Sequence, residues 1–275
     1  MSRVYLTELF PWLLPIRKRQ RLLCFYGKMR LDGRRYARQR SAEPLRWCVY
    51  TASCPMYNTA TGFDMVYQEN KVFNLKLAAA RLDGLLIRPG ETFSFWLSVH
   101  GADRDTPYRE GLVERYGQLL TEQGGGLCML SNLLFWAFLH TPLTVTERHG
   151  HTKKDFPEPP SEAVSGVDAT VSEGWLDLKV KNETEETYQL HIRFDRENIY
   201  ADVFSDTAAV YVMEIVNGPV RYFRRKGSIY EQVDVVRFTV EAPSRRVIRR
   251  ETLYTNRCQI GYALPEDTQI QEEEA

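Results

Sequence analysis

In NKVFNLKLAAARLDG, residues 70–84, the apolar residues Val72, Leu75, Ala79 and Leu82 return at steps of three and four. That period predicts a helix with one buried face, Asn70 placed to cap its start and Gly84 to close its end. LLIRPGETFSFW predicts a Pro-Gly turn and a strand, and residues 97–123 are a mixed polar stretch with no assignable period. At Leu127 the pattern becomes apolar on nearly every side: only Ser131 and Asn132 are polar before His140. This predicts a buried central helix, stopped by Pro142, which disfavours helix at the residue before it. It is too short to cross a membrane. From Leu143 onward the period falls to two. TYQLHIRFD and NIYADVFSD predict a hairpin, and VYVMEIV, VRYFRR, YEQVDVVRFTVEA and RRVIRRETLYT predict further strands. DTQIQEEEA reads as a frayed, charged tail.

The order of elements predicts an α+β fold. A buried helix packs on an antiparallel sheet, between a basic, helical N-terminus and a β-rich C-terminal part. We divide the chain into a basic N-terminal segment (1–63), a core (64–205), a β-rich part (206–265) and an acidic tail (266–275).

Composition narrows the picture. With 275 residues and 43% hydrophobic content, the chain can bury a substantial core, which excludes a disordered polymer. Five scattered cysteines form neither a C-x-x-C pair nor finger spacing, so a reduced, cytoplasmic protein is expected rather than a disulfide framework. LFPWLLPI does not follow the order of a secretory leader, because its basic residues come after the apolar run. The net charge of zero hides an imbalance. Residues 1–46 hold twelve Lys or Arg against three acidic residues, a balance of +9, so the remainder carries −9. Cations beside Phe10, Trp12, Leu13, Leu14 and Ile16 fit either a solvated helix or peripheral contact of residues 1–40 with an anionic membrane. No nucleic-acid motif accompanies them.

Candidate chemistry centres on GGGLC. Cys128 at a helix start sits where the helix dipole favours a thiolate. Gly124, Gly125 and Gly126 open the approach to main-chain donors, and Gln123 could supply a side-chain donor, as an oxyanion site requires. Leu143, Val145, Glu147, His149 and His151 alternate onto one strand face, and Asp168 opens the next strand. Helix Cys, strand His, strand Asp is the order found in papain-like and transglutaminase-like folds. Cys128 is then the nucleophile, His151 or His149 the base, with His151 preferred, and Asp168 the orienting residue. The same four side chains would also suit zinc, although no cofactor is expected.

GETFSFW, GGGLC-x-LSNLLFW, HTPLTVTERHGH and VDATVSEGWLDLKVKN together resemble the VanW family, as do FYGKMRLDG, GFDMVYQENKVFNLKLAA and LYTNRCQIGY. The resemblance covers nearly the whole chain. It implies an accessory role in glycopeptide resistance, beside enzymes that remodel peptidoglycan precursors. A cell-wall precursor or similar peptide would then be the partner, met by a thiol-dependent hydrolase or acyltransferase, by a non-catalytic binding protein or by a zinc-site protein. The family usually carries Gln after the cysteine, where this chain has Met129.

Overall fold

The computed structural model describes residue 10 and residues 12–115, 118–157 and 159–272. Its helices are α1 (Leu13–Leu31), α2 (Val66–Leu82), the single turn α3 (Phe95–Val99) and α4 (Leu127–Leu139). Helix α4 is central, and ten of its 13 residues are buried. It packs across an antiparallel sheet in which Trp47–Pro55, Asn198–Ser205, Tyr188–Phe194 and Leu86–Ile87 follow one another. The expected helix-on-sheet core is therefore present. Strand Trp47–Pro55 lies inside the segment read as basic and helix-rich, yet it belongs to this core sheet, paired residue by residue with Asn198–Ser205. The expected hairpin of Tyr188–Phe194 and Asn198–Ser205 forms as its sequence reads.

A second sheet runs Arg35–Tyr36, Glu91–Ser94, Lys179–Lys181, Thr144–Glu147. A third is built on the long strands Ser228–Glu241 and Val247–Ile260 and carries Tyr211–Asn217 and Arg221–Arg225 on the first of them. One hydrophobic core joins the first two sheets to α2, α3 and α4 and reaches Ile215 and Val235 of the third.

Four expectations need correction. Helix α2 begins at Val66 after Met65 as N-cap, and Asp64 Oδ1 accepts the Val66 N–H at 2.9 Å. Asn70 lies one turn inside and donates to the Glu110 carbonyl instead. The unassigned stretch 97–123 contains a two-stranded hairpin, Glu110–Arg115 with Gln118–Gln123. The strand after α4 stops at Glu147, because a register shift between Val145 and Glu147 breaks the period of two. His149 and His151 stand beyond it, and Asp168 lies on an irregular segment rather than a strand. The strand-borne histidine and aspartate of papain-like and transglutaminase-like folds are thus not formed here. Finally, Ile270–Glu272 does not fray: it pairs in parallel with Tyr222–Arg224, and Glu272 meets Arg224 at 3.1 Å. The last three residues lie outside the described ones.

The glycine run has a packing cause. A Cβ on Gly125 would stand 2.2 Å from the carbonyl carbon of Gly111, so the hairpin backbone can rest on the approach to α4 only if both residues lack side chains. Gly126, the N-cap of α4, adopts φ +91°, and the stem of Lys71 fills the place of its missing side chain. Gly125→Ala should therefore lower unfolding stability by about 1–3 kcal/mol through overpacking. Gly27→Ala, where a Cβ meets nothing within 4 Å, should raise it by about 0.5–1 kcal/mol. Denaturant midpoints of the two variants would check both signs. An unchanged midpoint for Gly125→Ala would mean that the hairpin moves off the helix start at no cost.

Candidate active site

Three polar residues of α4, Cys128, Ser131 and Asn132, share one face at spacings of three and four, and all three hold the segment 168–171. Asn132 Oδ1 accepts the Ala169 N–H at 2.6 Å, and the Ser131 hydroxyl donates to the Ala169 carbonyl. Cys128 Sγ lies 3.3 Å from Thr170 Oγ1 and 3.5 Å from the Val171 carbonyl oxygen. The two polar positions in an otherwise apolar helix are therefore the clamps that seat the aspartate loop beside the thiol.

Asp168 is almost wholly buried, and it grips His151 twice. Its Oδ1 accepts from the ring Nδ1 and its Oδ2 from the backbone N–H, each at 2.6 Å. The side chains of His151 and Cys128 are coupled in turn, each shifting the other through hydrogen bonding and charge. Cys128, His151 and Asp168 thus form a hydrogen-bonded line. Its electrostatics follow from the geometry. Burial opposes charge on all three groups, yet each is outweighed by its neighbour. The His151 bond and positive charge hold the Cys128 thiol below its ordinary range. Asp168 holds the imidazole well above its own, and His151 in turn keeps Asp168 below the usual carboxylate range. Both shifts act in the direction of a thiolate beside an imidazolium. Cys54, which has burial without such a partner, is pushed up to about 12.

The remaining expected site residues separate. His149 turns its ring to Glu147, with Nε2 3.2 Å from Oε1, and joins the line only through its carbonyl, which accepts the Thr170 N–H. It is not the base. The shared zinc set is divided in the same way, and among the described residues no group of three His, Cys, Asp or Glu side chains is disposed to hold a metal. The N–H groups of Gly124 and Gly125 bond to the carbonyls of Arg109 and Glu122, and Gln123 is exposed on its hairpin strand. The amides of Gly124 and Gly125 are therefore committed elsewhere, and Gln123 is turned outward. The first-turn amides of Leu127 and Cys128 have no carbonyl partner within the helix.

Sequence reasoning also missed a backing layer. Arg148 stacks on Tyr254 at 4.0 Å and donates from one Nη1 to the Asp168 carbonyl at 2.7 Å and to Asn256 Oδ1 at 3.3 Å. Tyr254 and Asn256 both come from the strand Val247–Ile260. Nothing local in the sequence marks that pairing across some hundred residues.

A model described as "VanW like protein" matches residues 70–204, a span holding every member of the line and its clamps. Vancomycin B-type resistance protein VanW of Enterococcus faecalis (strain ATCC 700802 / V583) is 53% identical over 272 residues, covering 99% of both chains. The chain belongs to the VanW family. The uncharacterized protein YoaR of Bacillus subtilis (strain 168) is 33% identical over 115 residues, 42% of this chain and 36% of its own length. No solved structure matches. In this VanW-family chain Arg148 lies within the span that the family model matches, whereas Tyr254 and Asn256, which back it, lie beyond it.

The depressed thiol pKa makes a kinetic prediction. At neutral pH Cys128 should alkylate faster than Cys54, because a lower pKa leaves more thiolate at a given pH. Asp168→Asn removes the charge that sustains the imidazolium. Its Cys128 alkylation profile should therefore move to higher pH. Peptide mass spectrometry after graded-pH iodoacetamide would read both. Labelling of Cys128 no faster than Cys54 would contradict the ion pair.

Proposed function

We propose that the chain acts in vancomycin B-type resistance as a thiol-dependent hydrolase or acyltransferase on an amide of a cell-wall precursor or related peptide. The observation that carries this reading is the line from Cys128 through His151 to Asp168, because a packed structural cysteine needs no imidazole and no buried carboxylate behind it. The resistance role rests on the relative named for it, which the chain matches end to end.

The chemistry the side chains would perform is acyl transfer. Cys128 thiolate adds to the substrate carbonyl carbon, and the developing oxyanion faces the free amides at the start of α4. As the tetrahedral species collapses, the C–N bond breaks and His151 gives its Nε2 proton to the departing amine. The thioester then passes its acyl group to water or to an acceptor amine. His151 takes a proton from that nucleophile, and the thiolate is released. Throughout, Asp168 keeps Nδ1 protonated and the ring in place.

A second reading, a non-catalytic accessory protein, is favoured by one observation: Gly125, packed on Gly111, and Gly126, covered by Lys71, are explained without any appeal to a substrate. Substitutions separate the two. Cys128→Ala and His151→Ala should abolish the chain's contribution to vancomycin resistance, measured as the inhibitory concentration in a host dependent on it. His149→Ala should retain most of it, and all three proteins should melt as cooperative folded species. A folded Cys128→Ala protein that supports full resistance would leave the accessory reading standing.

A further inference from the structure

Helix α1 has two apolar faces, and only one of them is used. The inner face is seated on the core: Met29 is buried against Ser94, Phe25 and Tyr26 pack on the core cluster, and the Tyr26 hydroxyl donates to Glu173 at 2.6 Å. Leu22 lies against Gly174, and Arg21 stacks on Trp175 at 4.7 Å. On the opposite side Trp12, Ile16, Leu23 and Leu31 are 66%, 56%, 68% and 87% exposed. Their steps of four, seven and eight residues keep them within about a third of the helix circumference, turned away from Phe25 and Met29. An exposed stripe of large apolar residues has no role in holding this helix down, since the inner face already does so.

The flanks of the stripe show what covers it. Arg17 and Lys28 border it, Arg19 and Arg30 stand within it, all four are exposed, and none of them is ion-paired among the described residues. They belong to the +9 segment of a chain whose remainder carries −9. A second copy of the chain seated on this stripe would press those cations against their own counterparts. A bilayer of anionic lipid supplies the matching charge and the apolar layer together. No described helix is long and apolar enough to span a membrane, so α1 would lie in the interface plane.

We propose that the outer face of α1 is a docking surface for an anionic bilayer, with Trp12, Ile16 and Leu23 entering the acyl boundary and the flanking cations meeting the headgroups. The surface adjoins the candidate site through one short segment. Thr170 and Val171 touch Cys128, while Glu173 and Gly174, two and three residues after Val171, touch α1. A docked helix therefore rests its inner face on the loop that leads from the thiol. The proposal does not depend on thiol chemistry, and Cys128→Ala should bind as the natural chain does.

The test uses the full-length protein and sedimentation with phosphatidylcholine vesicles, with and without phosphatidylglycerol. Binding is expected on the phosphatidylglycerol vesicles at low salt, weakening as salt rises. Trp12→Ser, Ile16→Ser and Leu23→Ser combined should reduce partitioning at least tenfold while the melting curve stays in place, because all three side chains are exposed. Should the triple variant misfold, the natural chain still decides: brominated lipid should quench its tryptophan fluorescence, and Trp12→Phe should remove most of the quenching. Equal binding to pure phosphatidylcholine, no binding to either vesicle, or a dimer in ultracentrifugation that the triple variant dissolves would overturn the proposal.

Discussion

The double hydrogen bond from Asp168 to His151 is the constraint around which the site is arranged. A carboxylate with almost no exposure to water is tolerable only when both oxygens are met by donors and its charge by a cation. One imidazole in one orientation, together with its own backbone N–H, supplies all of that. Fixing the ring fixes where Nε2 points, and that direction meets the N-terminus of α4. The strand that ends early at Glu147 serves the same geometry. Had the alternation continued, His151 would have been held in a sheet, with its N–H facing a neighbouring strand rather than Asp168.

Much of the framework was legible because it repeats. The helical period of α2, the apolar run of α4 and the alternation after Tyr188 each sum over many residues, so single deviations do not hide them. Cys128, His151 and Asp168 were legible by type and order. What could not be read was the means of bringing them together, since that depends on single residues with no period. Ser131 and Asn132 were visible as two polar positions in an apolar helix, and that anomaly was the available signal for a clamp on another segment. Thr170 and Asn256 left no such mark, because a threonine in a loop and an asparagine in a long strand are ordinary. The register shift at Thr146 is equally silent, and it ends the strand before His149 and His151.

The three glycines show how a chemical and a mechanical cause can coincide. Gly111 and Gly125 meet backbone to backbone, and Gly126 must turn with positive φ while Lys71 covers it. These demands concern how the hairpin and α2 close over the start of α4. They do not by themselves require a substrate. The same closure, however, sets α4's first turn at the end of an unobstructed backbone, and it is this turn that carries the thiol. Lys71 adds to the cost of the arrangement: burial lowers its ammonium to about 8, and its Nζ donates to the Gln68 side chain at 2.6 Å. A fold that buries a lysine over a glycine to shape one helix start has strong reason to keep that start in place.

The charge imbalance and the site belong to one physical scheme. An N-terminal helix could be fastened to the core by its inner face while presenting polar residues outward, as most surface helices do. Helix α1 instead carries leucine, isoleucine and tryptophan outward among arginines and lysines, a composition that water alone does not favour. Its inner face rests on the loop that descends from Cys128, so any force that orients α1 also orients that loop. The loop contributes two of the thiol's hydrogen-bond partners, Thr170 and Val171, and its beginning is Asp168 itself. The placement of α1 and the hydrogen bonding of Cys128 are consequently linked through the nine residues from Asp168 to Leu176, the stretch of chain clamped at one end by α4 and at the other by α1.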